Sequence, residues 1–137
     1  MFKLVSNLAT GVCNPKLFRI PTEENTAYTR GTLLRLNENG KAISPLQNEK
    51  PTHIAVETLD KNEKSEILVY AISPDMLFEA PILYNASKVK PGMQIGFAYN
   101  SRLCADSLIG TTTNKIATVV CRCDNDIGVT KVRVKFE

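Results

Sequence analysis

The sequence predicts an all-β fold, a small antiparallel β-barrel or sandwich with an extended N-terminal arm. Three observations predict it. In Thr130 to Glu137, Thr130, Val132, Val134 and Phe136 share one face and Lys131, Arg133, Lys135 and Glu137 the other, the period of two that marks a strand with a dry and a wet side. About eight or nine short segments of this kind recur at regular spacing with turn residues between them, the pattern of a barrel or sandwich. No window sustains apolar residues at helical spacing.

Residues 1–16 show neither period and are interrupted by Asn7, Gly11, Asn14 and Pro15. They are expected to form the arm, with Phe2, Leu4 and Leu8 as anchors, ahead of one domain over 17–137. Leu17 to Ile20 is a short strand stopped by Pro21. Thr22 to Arg30 is a polar loop. Gly31 to Leu36 is a strand with Leu34 and Leu36 on one face, and Asn37 to Gly40 turns it into a short return strand over Lys41 to Ile43. After a loop from Pro45 to Pro51, His53 to Leu59 alternates with Ile54 and Val56 inward, and Asp60 to Ser65 is a charged turn. Ile67 to Ile72 is apolar on both faces and predicts a central strand covered on both sides. Asp75 to Glu79 reads as one helical turn or a strand, Pro91-Gly92 as a turn before a strand from Met93 to Tyr99, and Asn100 to Asn114 as irregular. Ile116 to Cys123 pairs with the last strand through the turn chemistry of Asp124, Asn125, Asp126 and Gly128.

A chain of 137 residues buries roughly two thirds of its unfolded surface and needs no staple. Its 43% hydrophobic content is ordinary, and with Trp absent the core falls to Val, Ile and Leu. Seventeen cations against 14 anions give +3, too small an excess for a chain built to neutralise many phosphates. No apolar run approaches the ~20 residues of a membrane span. The first eight residues lack the apolar region of a secretory leader. Synthesis in a reducing cytoplasm is expected, with Cys13, Cys104, Cys121 and Cys123 as thiols and the Asn85-Ala86-Ser87 sequon unused.

Catalytic motifs are absent: there is no nucleophile elbow, phosphate loop, dinucleotide fingerprint or paired-histidine metal helix. His53 is the one histidine; Glu57 lies four strand residues away, about 13 Å, and cannot touch it. Cys121-Arg122-Cys123 admits a zinc reading, but structural zinc prefers pairs on a turn, two to four residues apart. The favoured reading packs both sulfurs among valines. Asp124 to Gly128 lacks the closing glutamate of a calcium loop. Asp75 to Pro81, with carboxylates at Asp75 and Glu79, reads better as a capped turn whose Leu77 and Phe78 plug the barrel end than as an active-site loop. Lys131, Arg133, Lys135 and Arg122 form a basic stripe. A groove for single-stranded nucleic acid is the alternative function, but it needs aromatic platforms this face lacks; protection of an edge strand is the favoured reading. No enzyme activity, metal or cofactor is expected.

The ordered segments Phe18-Arg19-Ile20-Pro21, Gly31 to Leu36, Gly40-Lys41, Pro51 to Ala55, Ile67 to Ile72, Phe78 to Pro81, Pro91-Gly92, Thr113 to Ile116 and Val132 to Phe136 resemble the capsid decoration proteins of tailed phages, also called head auxiliary or head fibre proteins. The likeness spans about residues 17–137 and rests on fold markers; Cys121-Arg122-Cys123 and the Asn100 to Thr113 segment depart from the pattern. The resemblance implies a β-tulip-like barrel on the outside of an icosahedral virion, where it stabilises the shell by bridging neighbouring major capsid protein subunits. Many such proteins are homotrimers, and an N-terminal arm commonly adds a strand to a capsid sheet. The contact residues are then expected at Met1, Phe2, Lys3, Leu4, Val5, Leu8, Lys16 and Phe18, and removal of residues 1–16 is expected to leave a folded domain that no longer binds. Neither nucleic acid nor membrane is an expected partner.

Overall fold

The alternating C-terminal segment forms β11 (Lys131–Phe136), paired antiparallel with β10 (Ala117–Arg122) in a computed structural model that describes residues 2–7, 14–45, 49–82, 88–97, 103–104, 116–123 and 131–136. Val132, Val134 and Phe136 are buried, while Lys131, Arg133 and Lys135 are half-buried on the opposite face. Met1, Leu8, Cys13, the sequon, the Asp124 to Gly128 turn and almost all of Asn100 to Asn114 lie outside the described residues.

The remaining strands are β1 (Lys3–Asn7), β2 (Phe18–Pro21), β3 (Leu33–Leu36), β4 (Ala42–Ile43), β5 (His53–Ala55), β6 (Glu66–Ala71), β7 (Met76–Pro81), β8 (Gln94–Phe97) and β9 (Leu103–Cys104). They make two antiparallel sheets, a six-stranded one in the order β1-β7-β11-β10-β8-β9 and a five-stranded one in the order β2-β6-β5-β3-β4. The sheets do not close into a barrel, so of the two predicted all-β architectures the protein has the sandwich. The five-stranded sheet curls: one bridge between Thr22 and Ala42 ties the chain beyond β2 to β4.

Two apolar clusters follow from this layering. The larger lies between the sheets and joins Phe78, Val119, Val132, Val134 and Phe136 of the six-stranded sheet to Leu33, Ile54 and Tyr70 of the other. The smaller lies on the far face of the five-stranded sheet, where Tyr28 and Leu59 close over Ile20, Leu34, Ala55, Ile67 and Val69. Tyr28 fixes that cover: its hydroxyl donates to the Ala42 carbonyl at 2.7 Å and accepts the Glu23 N–H at 2.9 Å. Burial on both faces explains why β6 reads as apolar throughout. It also explains why Leu33 and Leu34 are both buried, whereas Leu36, expected beside Leu34 in the core, is 38% exposed beyond the cover.

The Asn37 to Gly40 turn forms as predicted. Asn37 Oδ1 accepts the N–H groups of Asn39 and Lys41, and Gly40 takes φ +75°, a region that disfavours side chains.

Three expectations change. The N-terminal segment is extended, but residues 2–7 do not stand apart from a domain beginning at 17: Lys3–Asn7 pair with β7 along its edge. Of the two readings of Asp75 to Glu79 the strand holds, and the capped end plug over Asp75 to Pro81 does not: β7 is an interior strand with Phe78 fully buried. Strand β11 is not an edge, because β7 and β10 flank it, so its charges have no edge to protect.

Candidate functional site

The expected contact residues separate into three groups. Phe2 is 8% exposed, with its ring 5.7 Å from that of Phe136 and its N–H donated to the Gly31 carbonyl. Leu4 packs partly buried against the same core. These two hold β1 in place. Lys3 is exposed and Val5 half-buried, at a point where the pairing with β7 shifts register between Leu4 and Ser6. Lys16 and Phe18 are exposed on or beside β2.

The strand β2 carries more than expected. Leu17, which sequence reasoning passed over as a contact, is 46% exposed and Phe18 37%. Apolar neighbours in a strand point to opposite faces. A Leu-Phe doublet at a strand start therefore signals at least one exposed side chain unless both faces are covered. Phe18 meets the edge of His53 at 5.5 Å across β6, where Ala71, the residue opposite His53, leaves room for both rings. Thr52 Oγ1 lies 2.7 Å from His53 Nδ1. Burial holds the imidazole below its ordinary pKa of 6.5, so it is neutral at pH 7.

On the outer face of the six-stranded sheet, register brings charged residues into rows. Lys3, Glu79, Arg133 and Cys121 lie opposite one another on β1, β7, β11 and β10, and opposed residues share a face. The cysteines reach this face through a bulge. Pairing runs Val119 to Val134 and then Cys121 to Arg133, which leaves Val120 unmatched and 39% exposed. An extra residue inverts the alternation beyond it. Cys121 and Cys123 are therefore half-exposed beside charged groups instead of packed among valines.

Comparison with known proteins found no matching family model, curated protein or solved structure.

Chemically, the outer face is self-neutralising. Glu79 takes Lys131 at 3.8 Å and Arg133 at 3.5 Å, so half of the basic stripe is matched by one carboxylate. Cys123 Sγ donates to Glu79 Oε2 at 3.7 Å. Its thiol is pushed up by burial first, then by the Glu79 charge and hydrogen bond, with Arg133 acting the other way. A thiol kept protonated is a poor nucleophile and ligand. His53 belongs to the other sheet. Among the described residues no three His, Cys, Asp or Glu side chains gather as a metal site.

A second charged centre braces the five-stranded sheet. Glu57 accepts the Leu68 N–H at 3.0 Å and Arg19 at 3.3 Å, with Lys64 at 3.7 Å. The backbone bond first, and the two cations after it, hold this carboxyl below its ordinary value against the opposing effect of burial. Arg19 is thereby steered along β2.

Proposed function

We propose that this chain is a non-enzymatic structural protein of a phage virion, which binds the outside of an icosahedral capsid and stabilises it by bridging neighbouring major capsid protein subunits. The observation that carries this reading is the placement of residues 2–7 and 14–21. They supply an edge strand to each sheet, β1 to one and β2 to the other, and leave Leu17 and Phe18 exposed. A rigid sandwich with strand edges on two sides suits a bridging part, because backbone groups along an edge provide affinity without rearrangement. The resemblance over residues 17–137 supports the same role. Each contact to one subunit can be weak, since contacts to several neighbours on one particle add through effective concentration. A protein that binds assembled shells and not free subunits stabilises the assembly by mass action.

The test uses capsids assembled without this protein. Purified chain is expected to co-sediment with them at a saturating, lattice-defined ratio and to raise the temperature at which they release DNA. Absence of co-sedimentation at micromolar protein overturns the reading. The nucleic-acid alternative is weakened by Glu79, which occupies Lys131 and Arg133.

A further inference from the structure

We propose that the outer edge of β2 is a docking strand for an extended segment that places carboxylates around an apolar pair. The inference uses the capsid reading above only for the partner's identity; the edge itself follows from backbone geometry.

The direction of each backbone group along β2 is fixed by its neighbours. Leu68 donates to Glu57 and accepts from Val56, so its backbone points toward β5. Alternation then points Ile67 and Val69 toward β2, where they face Ile20 and Phe18. The Thr22 N–H, bonded to the Ser65 carbonyl at 2.9 Å, continues the same order. Phe18, Ile20 and Thr22 therefore bond inward, and Leu17, Arg19 and Pro21 point outward. Proline has no N–H to give, and Pro21 occupies an outward position where none is needed by β6. The outward row holds the N–H and C=O of Leu17 and Arg19; beyond them, at Pro21 and Thr22, the outward side is closed by the bridge to Ala42 of β4.

The other three sheet edges are blunted. Strand β1 carries a register shift between Leu4 and Ser6. Strand β4 has two residues and is tied to Thr22. Strand β9 also has two. Proteins blunt edges in these ways to avoid unwanted pairing. Among the described residues, β2 is the edge strand that combines regular pairing along its length with exposed large apolar side chains at its start, Leu17 and Phe18.

Charge selects the occupant. Lys16 and Arg19 flank Leu17 and Phe18, and both are exposed. Lys16 has no ion-pair partner among the described residues. A second copy would bring the same two cations to one short ladder, four in all, and like charges across a ladder destabilise it. An incoming strand with two acidic residues around an apolar pair gains an ion pair at Lys16, shares Arg19 with Glu57 at the other end, and makes apolar contact between them.

The test reads backbone amides. In the free protein, hydrogen exchange at Leu17 and Arg19 is expected to be fast and at Phe18 and Ile20 slow. The probe is an acetylated hexapeptide, Glu-Val-Phe-Val-Glu-Thr, with a lysine-for-glutamate version as control. Adding the acidic peptide is expected to slow exchange at Leu17 and Arg19 by about fivefold, the factor one net hydrogen bond of about 1 kcal/mol supplies; the lysine peptide is expected to do nothing. Leu17→Pro removes one outward donor and no inward bond. It is expected to weaken peptide and capsid binding about fivefold while Leu17→Ala keeps the donor and a larger share of the affinity. Protection at Leu17 without peptide, equal effects of both peptides, or a β2-linked homodimer overturns the inference. Wild-type chain that binds the peptide but not capsids leaves the edge standing and removes the virion reading. Chain that binds capsids equally with Leu17→Pro removes the edge and leaves the virion reading.

Discussion

Replacing Phe2 by alanine separates an anchor from a contact. The ring lies 5.7 Å from Phe136, which lies 5.5 Å from Phe78, so truncation opens the end of an aromatic row beneath β1. Phe→Ala in a core costs about 3–5 kcal/mol, within which an aromatic pair accounts for about 0.5–1.5 kcal/mol. Phe2 lies on an edge near a chain end, where neighbours collapse more easily, which places the loss near about 3 kcal/mol. For a domain of this size that corresponds to a fall in Tm of roughly 10 °C. Urea unfolding followed by tyrosine fluorescence measures it, with the slope m expected to stay near wild type. Well below its melting point the variant is expected to bind capsids as wild type does, because the ring is turned inward. Stability unchanged within about 0.5 kcal/mol, with capsid binding lost, refutes the anchoring argument and makes Phe2 a contact. Deletion of residues 1–16, by the same logic, strips β1 from β7 and uncovers the core, so the shortened chain is expected to melt far below the full one.

Two further expectations concern titrating groups. The Glu57 carboxyl lies below its ordinary value of 4.5 in the folded state, so its contribution to stability is complete above that value and is lost as pH falls through the folded pKa. Glu57→Gln is expected to be less stable at pH 7 and to show a shallower acid decline between pH 5 and pH 3; an identical acid limb in urea titrations counts against the hub. Glu79→Gln removes the charge and the acceptor that help keep the Cys123 thiol protonated, though not the burial that comes first. Alkylation of Cys123 by iodoacetamide at pH 8 is expected to quicken in the variant, and an unchanged or slower rate, read by peptide mass, contradicts the geometry.

What the sequence revealed was what short-range periodicity controls. The β10–β11 hairpin, the doubly covered β6 and the Asn37 to Gly40 turn are each set by neighbours within a few residues. What stayed hidden depends on partners distant in sequence. The bulge at Val120 is defined by the register against β11, so counting along β10 alone placed Cys121 and Cys123 on the wrong face. In β7, Met76, Leu77 and Phe78 are all buried, which erases the alternation and leaves a helical turn and a strand equally open from the sequence. Near Leu4 the register shift breaks the period of β1 in the same way. Which strand becomes an edge is a property of the sheet order, and β11 looked like an edge only because it is last in the chain. For the surface, the exposure of Leu17 required knowing that no strand pairs with it beyond β2.

That dependence on sheet order has a physical consequence for recognition. The five-stranded sheet is packed on both faces, one against the six-stranded sheet and one beneath Tyr28 and Leu59. A partner therefore has little access to its faces and meets it chiefly at an edge. The charges beside that edge serve two ends at once. Lys16 and Arg19 oppose pairing between copies, which keeps an exposed apolar strand soluble, and they attract a strand of opposite charge. Binding along β2 adds bonds to groups that point away from both cores, so affinity and stability are set by different residues. Phe2→Ala lowers stability and spares binding, Leu17→Pro lowers binding and spares stability, and the pair combined is expected to be additive, since the two sites share no packing partner. Coupling between them beyond about 0.5 kcal/mol would mean that the edge and the inter-sheet core are mechanically linked, and the sandwich would then have to deform when it binds.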